Sequence, residues 1–85
     1  MSLRLTWTGA AERDLAKLDK QVAARVVQAV VRFAETGHSD LKHMQPPEYG
    51  HRIRVGDWRV LVNLDEPGTI VVRRIEHRSR VYKRR

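Results

Sequence analysis

Gly56 and Asp57 separate two short runs of alternating residues, and this pair constrains the fold more than any other feature of the sequence. The runs cover residues 51–55 and 58–64, and both place an apolar side chain at every second position. A Gly-X pair between such runs is typical of a β-hairpin with a two-residue type II′ turn. Because a two-residue loop leaves one way to align the strands, the sequence predicts their register as well as their existence.

The predicted register separates apolar from basic side chains. Because side chains alternate between the two faces of a strand, one face becomes apolar and must pack on the rest of the fold. Arg52, Arg54 and Arg59 then share the opposite face. The predicted pairs are Val55 with Trp58, Arg54 with Arg59, Ile53 with Val60 and Arg52 with Leu61.

The predicted opposition of Arg54 and Arg59 calls for a partner of negative charge. Directly opposed side chains have Cβ atoms about 5 Å apart, and like charges in these positions destabilise a sheet. We interpret the face as a site for two or more phosphates, which guanidinium groups bind well. The alternative is a solvated basic face whose arginines pair with acids at the turns, namely Asp57, Asp65 and Glu66.

A third strand is expected over residues 69–76, after the turn-forming residues 65–68. A four-residue loop would place Arg74 beside Arg59 and leave Arg73 on the packed face, whereas a bulge would exchange the two. We favour Arg74 as the fourth arginine of the phosphate-binding face, and the sequence leaves the choice open.

The first half of the chain predicts one strand and a helical hairpin. Leu3, Leu5 and Trp7 alternate with polar residues, and Thr8 is suited to cap a first helix. That helix should bury Ala11, Leu15 and Leu18 and turn Glu12, Arg13, Asp14 and Lys17 outward. Asp19 can cap a second helix with an apolar stripe, and Gly37 can end it. The members of that stripe are Val22, Val26, Ala29, Val30 and Phe33.

Residues 38–48 contain Pro46-Pro47 and are expected to form a connecting loop. The predicted order is therefore β-α-α-β-β-β in a single domain covering residues 1–85. Its class is α+β with two layers, a helical hairpin packed on a mostly antiparallel four-stranded sheet.

Charge and composition narrow the function. The chain carries 17 Lys and Arg against 10 Asp and Glu, for a net charge of +7, and arginine outnumbers lysine thirteen to four. Codon usage in a GC-rich genome could explain that ratio, but not its position: residues 73–85 hold seven basic side chains against Glu76 alone. Such concentration is typical of proteins that bind a polyanion.

The residue types present exclude several kinds of site. The chain has no cysteine and its four histidines are not spaced as ligands on a helix, so we expect no metal and no cofactor. Neither a signal peptide nor a long apolar segment is evident, so we expect a cytoplasmic protein without membrane contact.

If the polyanion is RNA and the protein cleaves it without a metal, the site needs groups that carry protons in addition to the arginines. Arginine stabilises negative charge but is a poor acid or base. The candidates are His77 and Tyr82 after the third strand, and His51, whose ring should lie on the packed side or at the sheet margin. The alternative for His77 is a strand-end histidine without a role.

The C-terminal half resembles that of the RelE toxins in the RelE/ParE superfamily. The similar segment reads HRIRVGDWRVLVNLDEPGTIVVRRIEHRSRVYKRR, and the N-terminal LTWTGAAERDLAKLDK fits the helical hairpin of the same family. RelE-type members cut mRNA on the ribosome without a metal, using the ribose 2′-OH as nucleophile. ParE-type members share the fold but inhibit DNA gyrase.

This resemblance implies a role for each basic position. Arg52 and Arg54 match the paired basic residues that bind RNA, and Arg59 matches a phosphate-binding arginine. Arg78 matches an arginine that stabilises the transition state. Tyr82 matches a stacking or proton-transferring aromatic residue, and His77 a position that is often histidine.

The sequence departs from the family pattern in three ways, and the first two affect the expected chemistry. Arginine at both 52 and 54 leaves no lysine there to act as acid or base. Glu76 stands where glycine is usual and adds a carboxylate beside the site. Trp58 replaces the usual tyrosine, and we expect it to serve packing.

The resemblance supports three hypotheses about function. The first is an mRNA endoribonuclease toxin that acts on ribosome-bound mRNA and is neutralised by a cognate antitoxin carrying acidic residues. The second is a gyrase inhibitor without a nuclease site, and the third is a non-toxic RNA-binding module.

Overall fold

The computed structural model describes residues 3–36, 50–64 and 67–79, together with the backbone of residues 41–43. Seven elements follow one another along these residues. They are β1 (Arg4–Trp7), α1 (Gly9–Ala16), α2 (Lys20–Thr36), β2 (Leu41–His43), β3 (His51–Val55), β4 (Trp58–Asn63) and β5 (Thr69–His77).

The predicted two-layer α+β fold is confirmed, with one strand more than expected. The sheet has the order β1-β5-β4-β3-β2, in which β1 runs parallel to β5 and the other pairs are antiparallel. The prediction of an uninterrupted loop over residues 38–48 was wrong, because β2 lies within it and pairs with β3. Three residues are too few for alternation to show in a sequence, and pairing with β3 defines this strand.

Both predicted helix caps are present. The Thr8 side chain accepts a hydrogen bond from the N–H of Ala11 at 3.1 Å, and Asp19 accepts one from the N–H of Gln21 at 3.2 Å. These bonds satisfy amide groups that the first turn of a helix leaves without partners. The second helix ends at Thr36, and Gly37, the predicted stop, lies outside the described residues.

The core lies between the helices and one face of the sheet, called here the inner face. Val26, Val30 and Phe33 of α2 are buried as the apolar stripe predicts. The strands contribute alternate residues to the same cluster, and Trp58 and Leu15 pack against it from partly buried positions. The buried strand residues are Ile53, Val55, Val60, Val62, Ile70, Val72 and Ile75.

Two glycines allow the backbone to turn at the ends of the hairpin strands. Gly56 has a φ of +60° while Asp57 does not have a positive φ, as the predicted type II′ turn requires. Gly50 has a φ of +93°, and a Cβ atom there would lie 2.5 Å from the carbonyl oxygen of Val62. Both positions therefore require glycine, the first for its dihedral angle and the second also for space.

A β-bulge in β5 determines which of its side chains face away from the helices. Val62 pairs with Val72, but the preceding residue of β4, Leu61, pairs with Arg74. Arg73 is therefore the extra residue of the bulge. Beyond it the alternation changes phase, so that Arg74 and Glu76 point to the face opposite the core, called here the outer face.

Candidate functional site

The predicted hairpin register is confirmed at every pair. Arg54 lies opposite Arg59 and Arg52 opposite Leu61, while Ile53 with Val60 and Val55 with Trp58 face the core. Three arginines from two adjacent strands therefore share the outer face. Their placement follows from a two-residue turn and the period of two along a strand.

The fourth arginine faces the predicted side but has a different neighbour. We expected Arg74 beside Arg59, and this was wrong: Arg59 pairs with Glu76, and Arg74 pairs with Leu61. The connection between β4 and β5 is longer than four residues, and the bulge at Arg73 shifts the register again. The outer face thus carries two rows, Arg54–Arg59–Glu76 and Arg52–Leu61–Arg74.

Arg59 is the most buried of the basic side chains on this face, with 5% of its surface exposed. Its Nη1 atom donates hydrogen bonds to the carbonyl oxygens of Gly56 and Trp58, both at 2.9 Å. Among the described residues it forms no ion pair, and its buried Nε atom has no hydrogen-bond partner. A buried guanidinium held by carbonyl groups is costly to desolvate, and an anion beside it would offset that cost.

Glu76 brings a carboxylate into the middle of the face. It is 3% exposed and lies directly across from Arg59. Its charge also contributes to raising the pKa of Arg74, after the larger effects of the hydrogen bond and charge of Asp14. The predicted carboxylate beside the site is therefore a buried one, and it reduces the net positive charge that a phosphate would meet.

Asp14 was expected to face outward, and this was also wrong. Its Oδ2 atom accepts hydrogen bonds from Arg74 Nε at 2.8 Å and from the N–H of Ile75 at 2.9 Å, and its Oδ1 accepts one from Arg74 Nη2 at 3.2 Å. The reason is topological. β1 covers the edge of β5 only as far as Val72, and α1 covers the edge beyond it. No sequence signal links these residues, which are 60 positions apart.

The ion pair between Asp14 and Arg74 predicts that the stability of the protein depends on pH. Burial acts to raise the pKa of Asp14, but the hydrogen bonds from Arg74 and Ile75 and the charges of Arg74 and Lys17 outweigh it and hold the pKa below its usual 3.8. A carboxyl whose pKa is lower in the folded state stabilises the protein above its unfolded-state pKa. We expect this contribution to be lost as the pH falls below about 4. The measurement is the free energy of unfolding in urea, followed between pH 3 and 6. An Asp14→Asn variant should show a weaker dependence over this range, and an unchanged one would contradict the assignment.

His77 lies apart from the arginine rows. It ends β5 opposite Trp58, on the side of the sheet that faces the core, and its ring meets the Trp58 ring edge-on at 5.3 Å. Its Nδ1 atom accepts a hydrogen bond from the N–H of Ser79 at 3.3 Å and lies 3.1 Å from the Ser79 hydroxyl oxygen. His77 therefore lies at the end of the third predicted strand, on the face opposite the arginines.

The remaining predicted residues are placed in part. Arg78 follows β5 and is exposed; its N–H donates to the carbonyl of Asp57 at 2.7 Å, and its Nη1 lies 3.9 Å from Asp57 Oδ1. His51 lies opposite Val62, on the core side as predicted. Tyr82 lies outside the described residues. Across the described ranges no three His, Asp or Glu side chains are grouped as metal ligands.

Comparison with known proteins identifies the family. The sequence model described as the ParE toxin of type II toxin–antitoxin systems, parDE, matches residues 5–82. The chain belongs to this toxin family. It is therefore a type II toxin within the RelE/ParE superfamily, as the resemblance predicted. No curated protein sequence matches the chain, and no described helix is long and apolar enough to cross a membrane.

Solved toxin structures share the fold over almost the whole chain. The toxin–antitoxin complex RelBE2 from Mycobacterium tuberculosis contains a chain that is 30% identical, with a TM-score of 0.78 over 92% of this chain and 100% of that one. A chain of the RelB–RelE complex from Methanococcus jannaschii has 20% identity and a TM-score of 0.75, over 94% of this toxin and 98% of that chain. The Escherichia coli DinJ–YafQ complex gives 11% identity and a TM-score of 0.63, over 96% and 99%. The last two support the fold alone.

Proposed function

We propose that this toxin is a metal-independent endoribonuclease that cuts mRNA on the ribosome and so inhibits translation. The observation that carries the proposal is the buried guanidinium of Arg59, which lies beside Arg54 and forms no ion pair among the described residues. An arginine fixed in this way can stabilise an anion whose charge increases during a reaction, because the guanidinium need not move when that charge develops.

The proposed reaction is attack by the ribose 2′-oxygen on the adjacent phosphorus. The O2′–P bond forms while the P–O5′ bond breaks, which gives a 2′,3′-cyclic phosphate and a free 5′-OH. Arg59 and Arg78 stabilise the charge of the pentacovalent intermediate, and Arg52, Arg54 and Arg74 bind the neighbouring phosphates. His77 and Tyr82 are the proposed proton carriers, one accepting the proton of the 2′-OH and the other supplying one to the 5′-oxygen. Because His77 ends β5 on the core side of the sheet, its role requires the RNA strand to pass around the end of that strand.

We further propose that a cognate antitoxin neutralises this toxin by covering the outer face. The solved relatives named above are toxin–antitoxin complexes, and the face offers arginines to an acidic segment. An amphipathic helix or extended tail carrying carboxylates would compete directly with RNA phosphate for the same donors.

A second candidate is inhibition of DNA gyrase without nuclease activity. Two observations favour it: the matching family model is that of the ParE toxin, and His77 lies on the opposite side of the sheet from Arg59. In that case the arginines of the outer face serve antitoxin binding and the proton carriers have no catalytic role.

Induction of the toxin in growing cells distinguishes these functions. We expect rapid arrest of protein synthesis, with new mRNA 5′ ends that map within translated regions and require ribosomes. Purified toxin added to programmed ribosomes should produce the same cuts without any added transition metal. A DNA-damage response with intact mRNA would instead support the gyrase inhibitor, and unimpaired growth would support a non-toxic RNA-binding protein.

A further inference from the structure

Three arginines from separate parts of the chain meet at the hairpin turn formed by Gly56 and Asp57. Arg59 donates from Nη1 to the carbonyl of Gly56 at 2.9 Å. Arg78 holds the other turn residue through its backbone N–H and lies with Nη1 3.9 Å from the Asp57 carboxylate. Arg25 reaches the turn from α2, on the helix side of the sheet. These three residues are called here the turn cluster.

The place of Arg25 in this cluster follows from the glycine at position 56. A Cβ atom on Gly56 would lie 3.3 Å from Arg25 Nη2 and 3.9 Å from its Cζ. The guanidinium of Arg25 therefore lies directly over the turn, in the space that a side chain would otherwise occupy. Arg25 is an exposed residue.

The charges around the turn do not balance. Asp57 is 69% exposed and lies 3.9 Å from Arg78, which is a loose contact in solvent. Such an exposed pair contributes little to stability. Glu76 lies across from Arg59, on the outer face. The carboxylates of Asp57 and Glu76 thus lie near three guanidinium groups. The excess positive charge lies at the turn, where Arg25 and Arg78 are both exposed.

We infer that the turn cluster binds an RNA phosphate and that Arg25 of α2 is a further RNA-binding residue of the toxin. The inference rests on the proposed action on RNA and extends the binding surface from the outer face, around the hairpin turn, to the helical layer. Guanidinium groups that contact the same two-residue turn suit a phosphodiester, which presents two charged oxygens to bidentate donors. Arg25 positions the RNA strand and takes no part in bond breaking, whereas Arg59 and Arg78 of the same cluster also stabilise the reacting phosphate in the proposed reaction.

The test uses an arginine on the same helix as a matched control. Arg25 and Arg32 are both exposed residues of α2, and Arg32 lies two helical turns further along. Binding of the purified toxin to a short single-stranded RNA is measured over a range of salt concentrations for the wild type and for Arg25→Ala and Arg32→Ala. We expect Arg25→Ala to weaken binding about fivefold and to reduce the salt slope by about 0.7. Arg32→Ala should bind within about twofold of wild type, and thermal melting confirms that both variants fold.

The outcomes separate failure of this inference from failure of the proposed function. Equal losses for the two variants would mean that only net charge matters and would overturn the role of Arg25, as would wild-type binding by Arg25→Ala. If Arg54→Ala binds weakly in the same assay while Arg25→Ala does not, the outer face stands and the extension onto α2 is wrong. A wild-type toxin that does not bind this free RNA would overturn the present inference, whereas the proposed function is overturned only by absence of cleavage on programmed ribosomes.

Discussion

Replacing Arg59 with alanine is expected to slow mRNA cleavage by the toxin about 10²- to 10³-fold, the effect of removing one preorganised donor from a developing oxyanion. The guanidinium of Arg59 is buried and fixed by two carbonyl groups. In the proposed reaction its charge would therefore meet the reacting phosphate without rearrangement and in a region from which water is largely excluded. The measurement is the single-turnover rate of cleavage on programmed ribosomes, together with loss of growth inhibition in cells.

Arg54→Ala is the matched control for this prediction. Arg54 lies directly opposite Arg59 in the same row of the outer face but is exposed, so its loss should weaken binding and leave the rate at saturation near that of the wild type. Arg59→Lys retains the charge but cannot reproduce the fixed guanidinium. Compared with Arg59→Ala, it should recover more of the stability of the protein than of its cleavage rate. Cleavage by Arg59→Ala at the wild-type rate would contradict the role of Arg59. Equal effects of Arg59→Ala and Arg54→Ala on the rate would show that the row acts as a binding surface alone.

The largest effect on stability is expected from Asp14→Ala. This carboxylate is 13% exposed and accepts hydrogen bonds from the Arg74 side chain and from the N–H of Ile75. Because Arg74 is 41% exposed, solvent weakens the ion pair, and most of the cost should come from the Ile75 amide left without its partner. We expect a loss of about 2 kcal/mol in the free energy of unfolding, and a Tm lower by about 10 °C.

Glu12→Ala provides the comparison, because Glu12 is an exposed carboxylate on the same helix. Its removal should change the free energy of unfolding by no more than about 0.5 kcal/mol. The double variant Asp14→Ala, Arg74→Ala should lose less than the sum of the single variants, since each removes the same contact. Similar stabilities of Asp14→Ala and Glu12→Ala would show that Asp14 does not hold α1 to β5.

Glu76 has two opposing effects at the proposed site. As a buried carboxylate across from Arg59 it helps the fold to tolerate several arginines on one face. The same charge reduces the attraction of the face for phosphate. The usual glycine of the family would leave the phosphate site more positive, so this residue distinguishes the present chain from the pattern it resembles.

The arginine pair at the centre of the candidate site could be predicted because its geometry is local. A two-residue turn aligns Arg54 with Arg59, and alternation along each strand keeps apolar residues on the other face. The helix caps at Thr8 and Asp19 were equally predictable, since each bond spans two or three residues. The neighbour of Arg59 on β5 was not predictable, because one bulge residue, Arg73, changes the register.

The sequence by itself therefore determined the family, the hairpin register and the arginine-rich outer face of this toxin, because each depends on neighbouring residues. Only the tertiary structure decided which distant groups complete that face. The end of β1 at Trp7 leaves the edge of β5 to α1 and brings Asp14 to Arg74. The packing of α2 on the sheet carries Arg25 to the hairpin turn, where a glycine leaves room for its guanidinium. Neither contact has a sequence spacing that predicts it, since both are set by how the helices pack on the sheet.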